Sequence, residues 1–331
     1  MRRRLFVSAA AALPLAIPLA GLLTSTAVTP AHATGGRHLF DDRRFEHGFH
    51  LMPVVPSDVP RTVLDFGRPG GTPRWRLAEW WTRHSIADSP VRQYQAGSVP
   101  GLTFAGVGYE SPAKRVIRGE NGDLWLEAMA SAEYERPHQA GEPWPHLLIE
   151  QVWGVEGVRL VDLAQLRFGL SVRVPRVVNR MTPDTYDPSL HAAQVTAYFT
   201  VQNRDVDSPD YGSLVWFGVP VFDNRYEIPP AYYAEDSGHT GQTNQFIATM
   251  PGSAFWRRGV GDGRWHTCSA DLVPFMHHAF AVAQERGYLP HTRLDQLRIT
   301  TFNLGWELPG TFDVALHLRP PRAIAVFDPG T

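Results

Sequence analysis

The chain of 331 residues contains one cysteine, Cys268, and one lysine, Lys114. A single cysteine excludes an intramolecular disulfide, so a stable fold must rest on its hydrophobic core. Cys268 lies in a strand-like segment, where we expect a buried, inert thiol rather than a nucleophile. The sequence also lacks a Gly-x-Ser-x-Gly elbow, a phosphate-binding glycine-rich loop and a His-Glu-x-x-His helix. These absences exclude several common enzyme classes without excluding an enzyme.

The charge balance argues against nucleic acid as a partner. The chain has 31 basic and 33 acidic residues, giving a net charge of −2 with neutral histidines, and no basic run after Arg4. Binding to phosphate backbones needs a basic patch, so no nucleic-acid partner is expected. Beyond residue 33 no apolar stretch reaches membrane-spanning length, so we expect no membrane association after that point.

The first 33 residues have the layout of an export signal. A basic start, Arg2 to Arg4, precedes an apolar stretch that ends at Ala31-His32-Ala33, a small-x-small cleavage pattern. Arg3-Arg4-x-Phe6 resembles the twin-arginine export consensus, which implies export of an already folded protein. We therefore expect a twin-arginine signal peptide at residues 1–33 and a secreted protein. The alternative is an uncleaved membrane anchor, because the stretch is long enough to span a bilayer.

The remaining sequence predicts a mostly β protein. Residues 34–110 are rich in Gly and Pro turns and predict a loop-rich extension packed on a sandwich, interrupted by one helical or aromatic stretch at 75–86. Residues 111–331 predict an antiparallel, jelly-roll-like β-sandwich with one short helix, Val273–Arg286. In 213–222 both strand faces are apolar, and Pro220 predicts an edge or a bulge. The predicted strands are 123–130, 146–153, 166–174, 191–203, 213–222, 244–250, 265–272, 296–304 and 312–318.

The C-terminal third resembles the closing strands of galactose-binding-like and other jelly-roll carbohydrate-binding modules. The resemblance rests on Trp265 to Leu272 leading into a helix, then Leu294 to Ile299, then Asn303 to Val314. It implies a saccharide ligand on the loops or on one sheet face. It also allows a structural calcium ion, with Asp313 or Glu307 contributing, while the metal stays unknown and no cofactor is required. Ten tryptophans and ten tyrosines agree with sugar stacking, although they equally fit a large aromatic core.

Glycoside hydrolysis needs two carboxylates about 5–10 Å apart. The segments 126–135 and 142–150 are the richest local supply, with Glu127, Glu133 and Glu150 as candidates. On a strand at 146–153, His146 and Glu150 share one face, where neighbouring tryptophans would tune an acid. The alternative is that these are ordinary solvated strand residues.

Polysaccharide elimination uses a tyrosine or histidine with groups that neutralise a uronate. Tyr198 lies in a polar ladder along the predicted strand 191–203, which suits either a saccharide cleft or a solvent face. Asp223 and Arg225 follow a buried strand and predict either a second site region or a structural ion pair. The residues expected to contact saccharide are Trp144, Gln194, Gln202, Tyr233 and Trp306.

Three function classes remain open. The leading hypothesis is a secreted protein that cleaves a polysaccharide by hydrolysis or elimination, because no separate catalytic domain is evident beside the predicted sandwich. The rival is a non-catalytic, lectin-like protein that binds polysaccharide or oligosaccharide. The third is an exported surface protein whose aromatic residues are all core. In each case we expect a monomer.

Overall fold

Two large β-sheets face each other across an aromatic core in the computed structural model, which describes residues 36–330. The predicted signal peptide, residues 1–33, lies outside the described residues. Most of the buried apolar side chains belong to one cluster shared by both sheets, with a smaller cluster around Trp125. No described helix combines the length and the apolarity needed to cross a bilayer.

The helices are short and few compared with the strands. They are α1 (Ala130–Glu133) and α2 (Val273–Glu285). The strands are β1 (Arg37–His38), β2 (Phe49–Leu51), β3 (Thr62–Leu64), β4 (Trp75–Ala78), β5 (Arg92–Tyr94), β6 (Gly106–Glu110), β7 (Lys114–Gly119), β8 (Leu124–Met129), β9 (His146–Val152), β10 (Val158–Arg159), β11 (Leu163–Asn179), β12 (Gln194–Asn203), β13 (Leu214–Asp223), β14 (Tyr232–Glu235), β15 (Phe246–Thr249), β16 (His266–Asp271), β17 (Leu297–Glu307), β18 (Phe312–Leu318) and β19 (Arg322–Phe327).

The first sheet has nine strands in the order β1-β19-β11-β18-β8-β7-β6-β5, with β16 also paired to β11. The second sheet has ten strands in the order β14-β15-β13-β12-β17-β9-β4-β2-β3, with β10 also paired to β17. The pairs β13–β15 and β2–β4 are parallel, and the other described pairs are antiparallel. The predicted mostly β, jelly-roll-like sandwich is confirmed, with two parallel pairs that the sequence pattern did not indicate.

Residues 36–110 contribute strands to both sheets. β1, β5 and β6 belong to the first sheet, and β2, β3 and β4 to the second. The stretch that begins at Trp75 starts as strand β4, and Trp75 is fully buried, with its ring 5.0 Å from that of Phe45. The segment is therefore part of the sandwich itself, although it is rich in turns.

Two local predictions are confirmed. The predicted helix Val273–Arg286 appears as α2, which buries Met276 and Ala279 against the core and ends before Gly287. The predicted irregularity at Pro220 appears as a register shift between β12 and β13. The proline has no N–H to donate to a ladder, so a bulge beside it costs little.

Cys268 lies on β16 and is 3% exposed. Burial raises the pKa of its thiol to about 11. A buried thiol that stays protonated at neutral pH is a poor nucleophile, as predicted for this residue.

Candidate functional site

A cleft lies over the face of the second sheet that points away from the core. Strand alternation builds it, because core residues such as Phe199 and Phe302 alternate with polar ones on the open face. The cross-strand register then aligns the polar residues: Tyr198 of β12 lies opposite Asn303 of β17, and Gln194 lies opposite Glu307. On the other side of β17, Glu307 lies opposite His146 of β9.

The cleft consists of two adjoining cavities of about 550 Å³ and 230 Å³. The residues that line both cavities mark the middle of the cleft. They are Trp144, Tyr198, Asp236, His239, Ile247 and Glu307. Four of these six, Tyr198, Asp236, His239 and Glu307, carry titratable groups that can transfer protons, so the middle of the cleft is where its chemistry is expected.

Glu307, at the end of β17, carries the carboxyl group of the cleft whose pKa is clearly raised. Burial is the main cause that raises the pKa of its carboxyl group to about 7, with a further contribution from the nearby Asp236 carboxylate; His239 opposes them. Within residues 36–330 no group donates a hydrogen bond to this carboxyl group. With a pKa of about 7, this carboxyl group keeps its proton at pH values where an ordinary glutamate has lost it, which suits a general acid.

His146, opposite Glu307 on β9, is held as a neutral imidazole. Its Nδ1 lies 2.8 Å from the backbone carbonyl oxygen of Trp144, which can only accept, so Nδ1 carries the proton and Nε2 is left as an acceptor. Burial lowers the pKa of His146 to about 4. The Trp144 ring stacks on the imidazole at 5.9 Å, and the Trp80 ring meets it edge-on at 5.6 Å.

Asp236 begins the loop between β14 and β15 and faces the same cavities. Its Oδ1 accepts from Nε2 of His239 at 2.8 Å. Its Oδ2 accepts from the backbone N–H of Thr243 at 2.9 Å and from the Thr243 hydroxyl group at 2.5 Å. These bonds fix the orientation of a second carboxyl group close enough to raise the pKa of Glu307.

Aromatic side chains form the walls of the smaller cavity. They are Trp80, Trp81, Trp144 and Trp216. The indole N–H groups of Trp80 and Trp144 and the side-chain oxygen of Asn303 are buried and make no hydrogen bond within the described chain. Buried polar atoms are nearly always paired, so these three atoms leave hydrogen-bonding capacity unused in the walls of the smaller cavity. Flat rings with unpaired polar atoms beside them are suited to a pyranose.

No known protein family matches the chain, and no curated protein matches it. Among solved structures, a family 12 xyloglucanase from Bacillus licheniformis is similar at 8% identity over 75% of this chain and 99% of that one, with a TM-score of 0.41. A cellulase derived from Rhodothermus marinus Cel12A matches at 12% identity over 73% and 98%, with a TM-score of 0.38. A family 11 xylanase from Neocallimastix patriciarum matches at 9% identity over 76% and 99%, with a TM-score of 0.35.

Of the residues predicted from the sequence, six line the cleft. They are Trp144, His146, Gln194, Tyr198, Asp223 and Arg225. Asp223 and Arg225 form a two-point ion pair, with Arg225 Nε 2.9 Å from one carboxylate oxygen and a terminal nitrogen 2.6 Å from the other. Because the guanidinium group of Arg225 donates to both carboxylate oxygens of Asp223, the two charges compensate each other, and we interpret the pair as a structural part of the cavity wall.

Glu150 shares the open face with His146, as predicted, but it lies outside both cavities. It is the register partner of Arg76 on β4, and burial raises the pKa of its carboxyl group to about 7. Glu150 is also four residues away from Glu307 in register, or roughly 13 Å along the strand. That offset is too long for the two carboxyl groups to act as a retaining pair, which requires about 5–5.5 Å.

The other predicted residues lie away from the cleft. Glu127 is on β8 of the first sheet, where it is ion-paired with Arg115 and with Arg176 at 2.8 Å. Glu133 is ion-paired with buried Lys114. Both carboxyl groups are therefore engaged in structural pairs and take no part in the site.

Three of the predicted saccharide contacts are also placed elsewhere. Trp306 is fully buried between the sheets, and its indole N–H donates to the Leu126 carbonyl oxygen at 3.0 Å. Tyr233 points to the opposite side of β14, where its ring stacks on Phe246. Gln202 faces the open side beyond the cavities and donates to the Gly212 carbonyl oxygen at 2.8 Å. Strand alternation turns Trp306 and Tyr233 away from the cleft, whereas Gln202 lies on the open face but farther along β12 than the cavities extend.

The calcium ligands suggested by the resemblance do not converge. Asp313 lies on β18 of the first sheet, and Glu307 on β17 of the second. Asp313 already accepts from the Ser131 hydroxyl group at 2.7 Å and from Arg180 at 2.6 Å. Among residues 36–330 no three His, Cys, Asp or Glu side chains gather as a metal site.

The sequence reasoning considered Glu307 only as a possible calcium ligand and did not select Glu307 or Asp236 as an acid of the cleft. The signal for Glu307 was present, because Asn303, Gly305 and Glu307 alternate with the apolar Leu304 and Trp306 on β17. That alternation places Glu307 on the open face. The signal for Asp236 was weaker, because a loop residue has no periodicity to orient it.

Proposed function

We propose that the cleft hydrolyses glycosidic bonds of a neutral polysaccharide, with Glu307 as the general acid. The observation that carries this proposal is the state of Glu307: a carboxyl group with a pKa of about 7, no hydrogen-bond partner in the described chain, and a position between aromatic walls. Hydrolases of this kind need one carboxyl group that stays protonated near neutral pH and a second that does not.

In this mechanism Glu307 donates its proton to the glycosidic oxygen as the bond to the anomeric carbon breaks. Asp236 is the second carboxyl group, held towards the cleft by His239 and Thr243. It either activates water or attacks the anomeric carbon, and Glu307 regains its proton from the entering water in the second case. The two routes give opposite anomers, so NMR of the freshly released sugar identifies the role of Asp236.

The charges of the cleft favour a neutral substrate and hydrolysis over elimination. Among the described lining residues Arg225 is the single arginine or lysine, and its guanidinium group is taken up by Asp223. Elimination requires a positive or neutral donor to offset a uronate carboxylate, whereas the described lining of this cleft leaves no arginine or lysine side chain free for that role and contains the Asp236 carboxylate. An anionic polymer would meet like charges there.

A panel of neutral and acidic polysaccharides tests the proposal. We expect new reducing ends from at least one neutral polymer and no absorbance from unsaturated products. Unsaturated ends released from a uronate polymer would contradict hydrolysis and show that the protein cleaves by elimination. Retention on a polysaccharide matrix without any product would support the lectin-like alternative, and absence of both binding and product would contradict a carbohydrate function.

Replacing Trp144 by alanine is expected to weaken substrate binding more than chemistry. The Trp144 ring lines both cavities and stacks beside His146. Loss of one stacking ring should raise KM by about tenfold, or about 1.4 kcal/mol, with kcat little changed. Steady-state kinetics on the panel's best substrate measure this, with Trp265→Ala as the matched control, because Trp265 packs against His317 of the first sheet. Equal changes in both variants would show that Trp144 has no role in binding.

The proposed site of action is outside the cytoplasm. The basic start, apolar stretch and Ala31-His32-Ala33 pattern support export of residues 34–331 after cleavage. A polysaccharide substrate fits that compartment, because such polymers are too large to be taken up intact. We propose that the protein acts there as a monomer.

A further inference from the structure

A loop crosses the cleft from one rim to the other. It comprises residues 236–245 between β14 and β15, and we name it the strap. Its base is closed by backbone hydrogen bonds of 2.9 Å in both directions, between Asp236 and Gln245 and between Asn244 and Asp236. The Asp236 carboxylate also binds Thr243 across the base. These bonds hold the two ends of the strap together at one edge of the sheet.

The tip of the strap reaches the opposite rim of the cleft. Both the backbone N–H and the hydroxyl group of Thr240 approach the Gly141 carbonyl oxygen, at 3.3 Å and 3.4 Å. Gly241 lies against the Trp81 ring so closely that a Cβ atom there would be 3.1 Å from it. The imidazole of His239 lies 4.6 Å from the Trp144 ring. The strap thus contacts the rim formed by residues 81 and 141–144.

A side chain of β13 also holds the strap near its C-terminal end. The indole N–H of Trp216, on β13, donates to the Thr243 hydroxyl group at 3.2 Å. Thr240, Gly241 and Thr243 all line the smaller cavity together with its tryptophan walls. The smaller cavity is therefore roofed by the strap, and Glu307 lies where it meets the larger one.

The geometry points to a site that takes chain ends: with the strap bridging both rims, a polysaccharide must enter by its end and cannot be laid across the sheet along its interior. This inference rests on the proposed function, because it names the part of the polymer on which Glu307 acts. The strap spans the cleft beside the reacting group, and the two cavities open on either side of it. The strap would therefore restrict cleavage to the ends of the polymer, while Glu307 supplies the proton for the cleavage itself.

The test compares a linear neutral hexasaccharide, cut from the polymer that is degraded in the panel, in two forms. One form is unmodified, and the other carries a bulky dye at both ends. In the wild type we expect the unmodified form to bind, measured by tryptophan fluorescence, and the capped form to bind many-fold more weakly. If no polymer is degraded, hexasaccharides of all the panel polymers are used, because fluorescence reports binding without turnover.

The decisive variant replaces Thr240, Gly241 and Gln242 by one glycine, which keeps Asp236, His239 and Thr243. The shortened strap cannot reach Gly141 or Trp81, so we expect the capped form to bind nearly as well as the unmodified one. Gln242→Ala is the matched control, because the Gln242 side chain bonds only within the strap, to Gly238 and Asn244. It should keep the wild-type discrimination.

Each outcome separates this inference from the proposed function. Equal binding of both forms by the wild type would overturn the requirement for chain ends and leave hydrolysis by Glu307 intact. Discrimination that persists after the strap is shortened would also overturn it, because another element would then close the site. If no hexasaccharide binds to the wild type or to a shortened variant whose circular dichroism is native, both the proposed function and this inference fail.

Discussion

Replacing Glu307 by glutamine is expected to lower kcat on the panel's best substrate by about 10²- to 10⁴-fold, the usual contribution of a general acid. Glutamine keeps the shape of the side chain and removes the proton that the leaving oxygen needs. KM should change little, because the tryptophan walls and Asn303 are untouched. Glu156→Gln is the matched control, since Glu156 is an exposed glutamate outside both cavities.

The pH dependence gives this prediction a second readout. A general acid works while protonated, so wild-type activity should fall as the pH rises through about 7, the pKa of Glu307. The residual activity of Glu307→Gln should lack this alkaline limb. A variant that keeps the limb at wild-type position, or that loses less than about tenfold in kcat, would assign the acid to another group.

Protein stability distinguishes loss of chemistry from loss of fold. The folded pKa of Glu307 lies above its unfolded value, so the folded state holds the proton more tightly. Wild-type stability attributable to this group is present at low pH and is lost as the pH rises to about 7. Glutamine cannot ionise, so at pH 8 Glu307→Gln should be at least as stable to urea as the wild type.

Much of the fold could be predicted from the sequence because strand alternation is a local property. The even positions of β12, such as Thr196 and Tyr198, are polar and the odd positions apolar, which indicated a two-faced strand. The bulge near Pro220 and the helix at 273–285 also follow from local chemistry. The roles of β1 to β4 could not be predicted, because strands of two to four residues carry too little periodicity.

The candidate site was only partly predictable, because it is assembled by register. His146, Tyr198 and Glu307 come together across three strands that are far apart in sequence. Counting nearby carboxylates favoured Glu127 and Glu133 instead, since they are close in sequence. Both are paired with basic groups from other strands, Glu127 with Arg115 and Arg176 and Glu133 with Lys114, and the sequence alone does not reveal these pairs. Tertiary pairing therefore decided which carboxyl groups were free to act.

Lys114, the one lysine of the chain, is the centre of a buried charged cluster that supports the cleft wall. Its side chain is 2% exposed, and it lies 3.6 Å from Glu79 and 3.4 Å from Glu133. It also donates to the His84 carbonyl oxygen at 2.6 Å. Burial lowers the pKa of Lys114 and raises that of Glu79. The cluster fixes residues 79–85, which carry Trp80 and Trp81 to the rim of the cleft.

Replacing Lys114 by methionine is expected to cost about 3–5 kcal/mol of unfolding free energy, the usual penalty for leaving buried charges without their partner. Burial already raises the pKa of Glu79, and without Lys114 its carboxyl group must be protonated in the folded state, so the loss should grow as the pH rises above its unfolded pKa. Urea denaturation at pH 5 and pH 8 measures both effects. Arg293→Met is the control, because the Arg293–Asp295 pair is largely exposed and should cost at most about 1 kcal/mol.

The triple variant Lys114→Met, Glu79→Gln, Glu133→Gln separates charge from packing. With both carboxyl groups neutralised, most of the stability lost at pH 8 should return. A protein with a buried ion pair is often little more stable than one with a neutral replacement of the pair. If the single Lys114 variant loses no more than the Arg293 control, the cluster is not a source of stability. If the triple variant stays as unstable as the single one, unpaired charge is not the cause of the instability. The packing and hydrogen bonds that Lys114 makes with residues 79–85 would then be what holds the tryptophan wall in place.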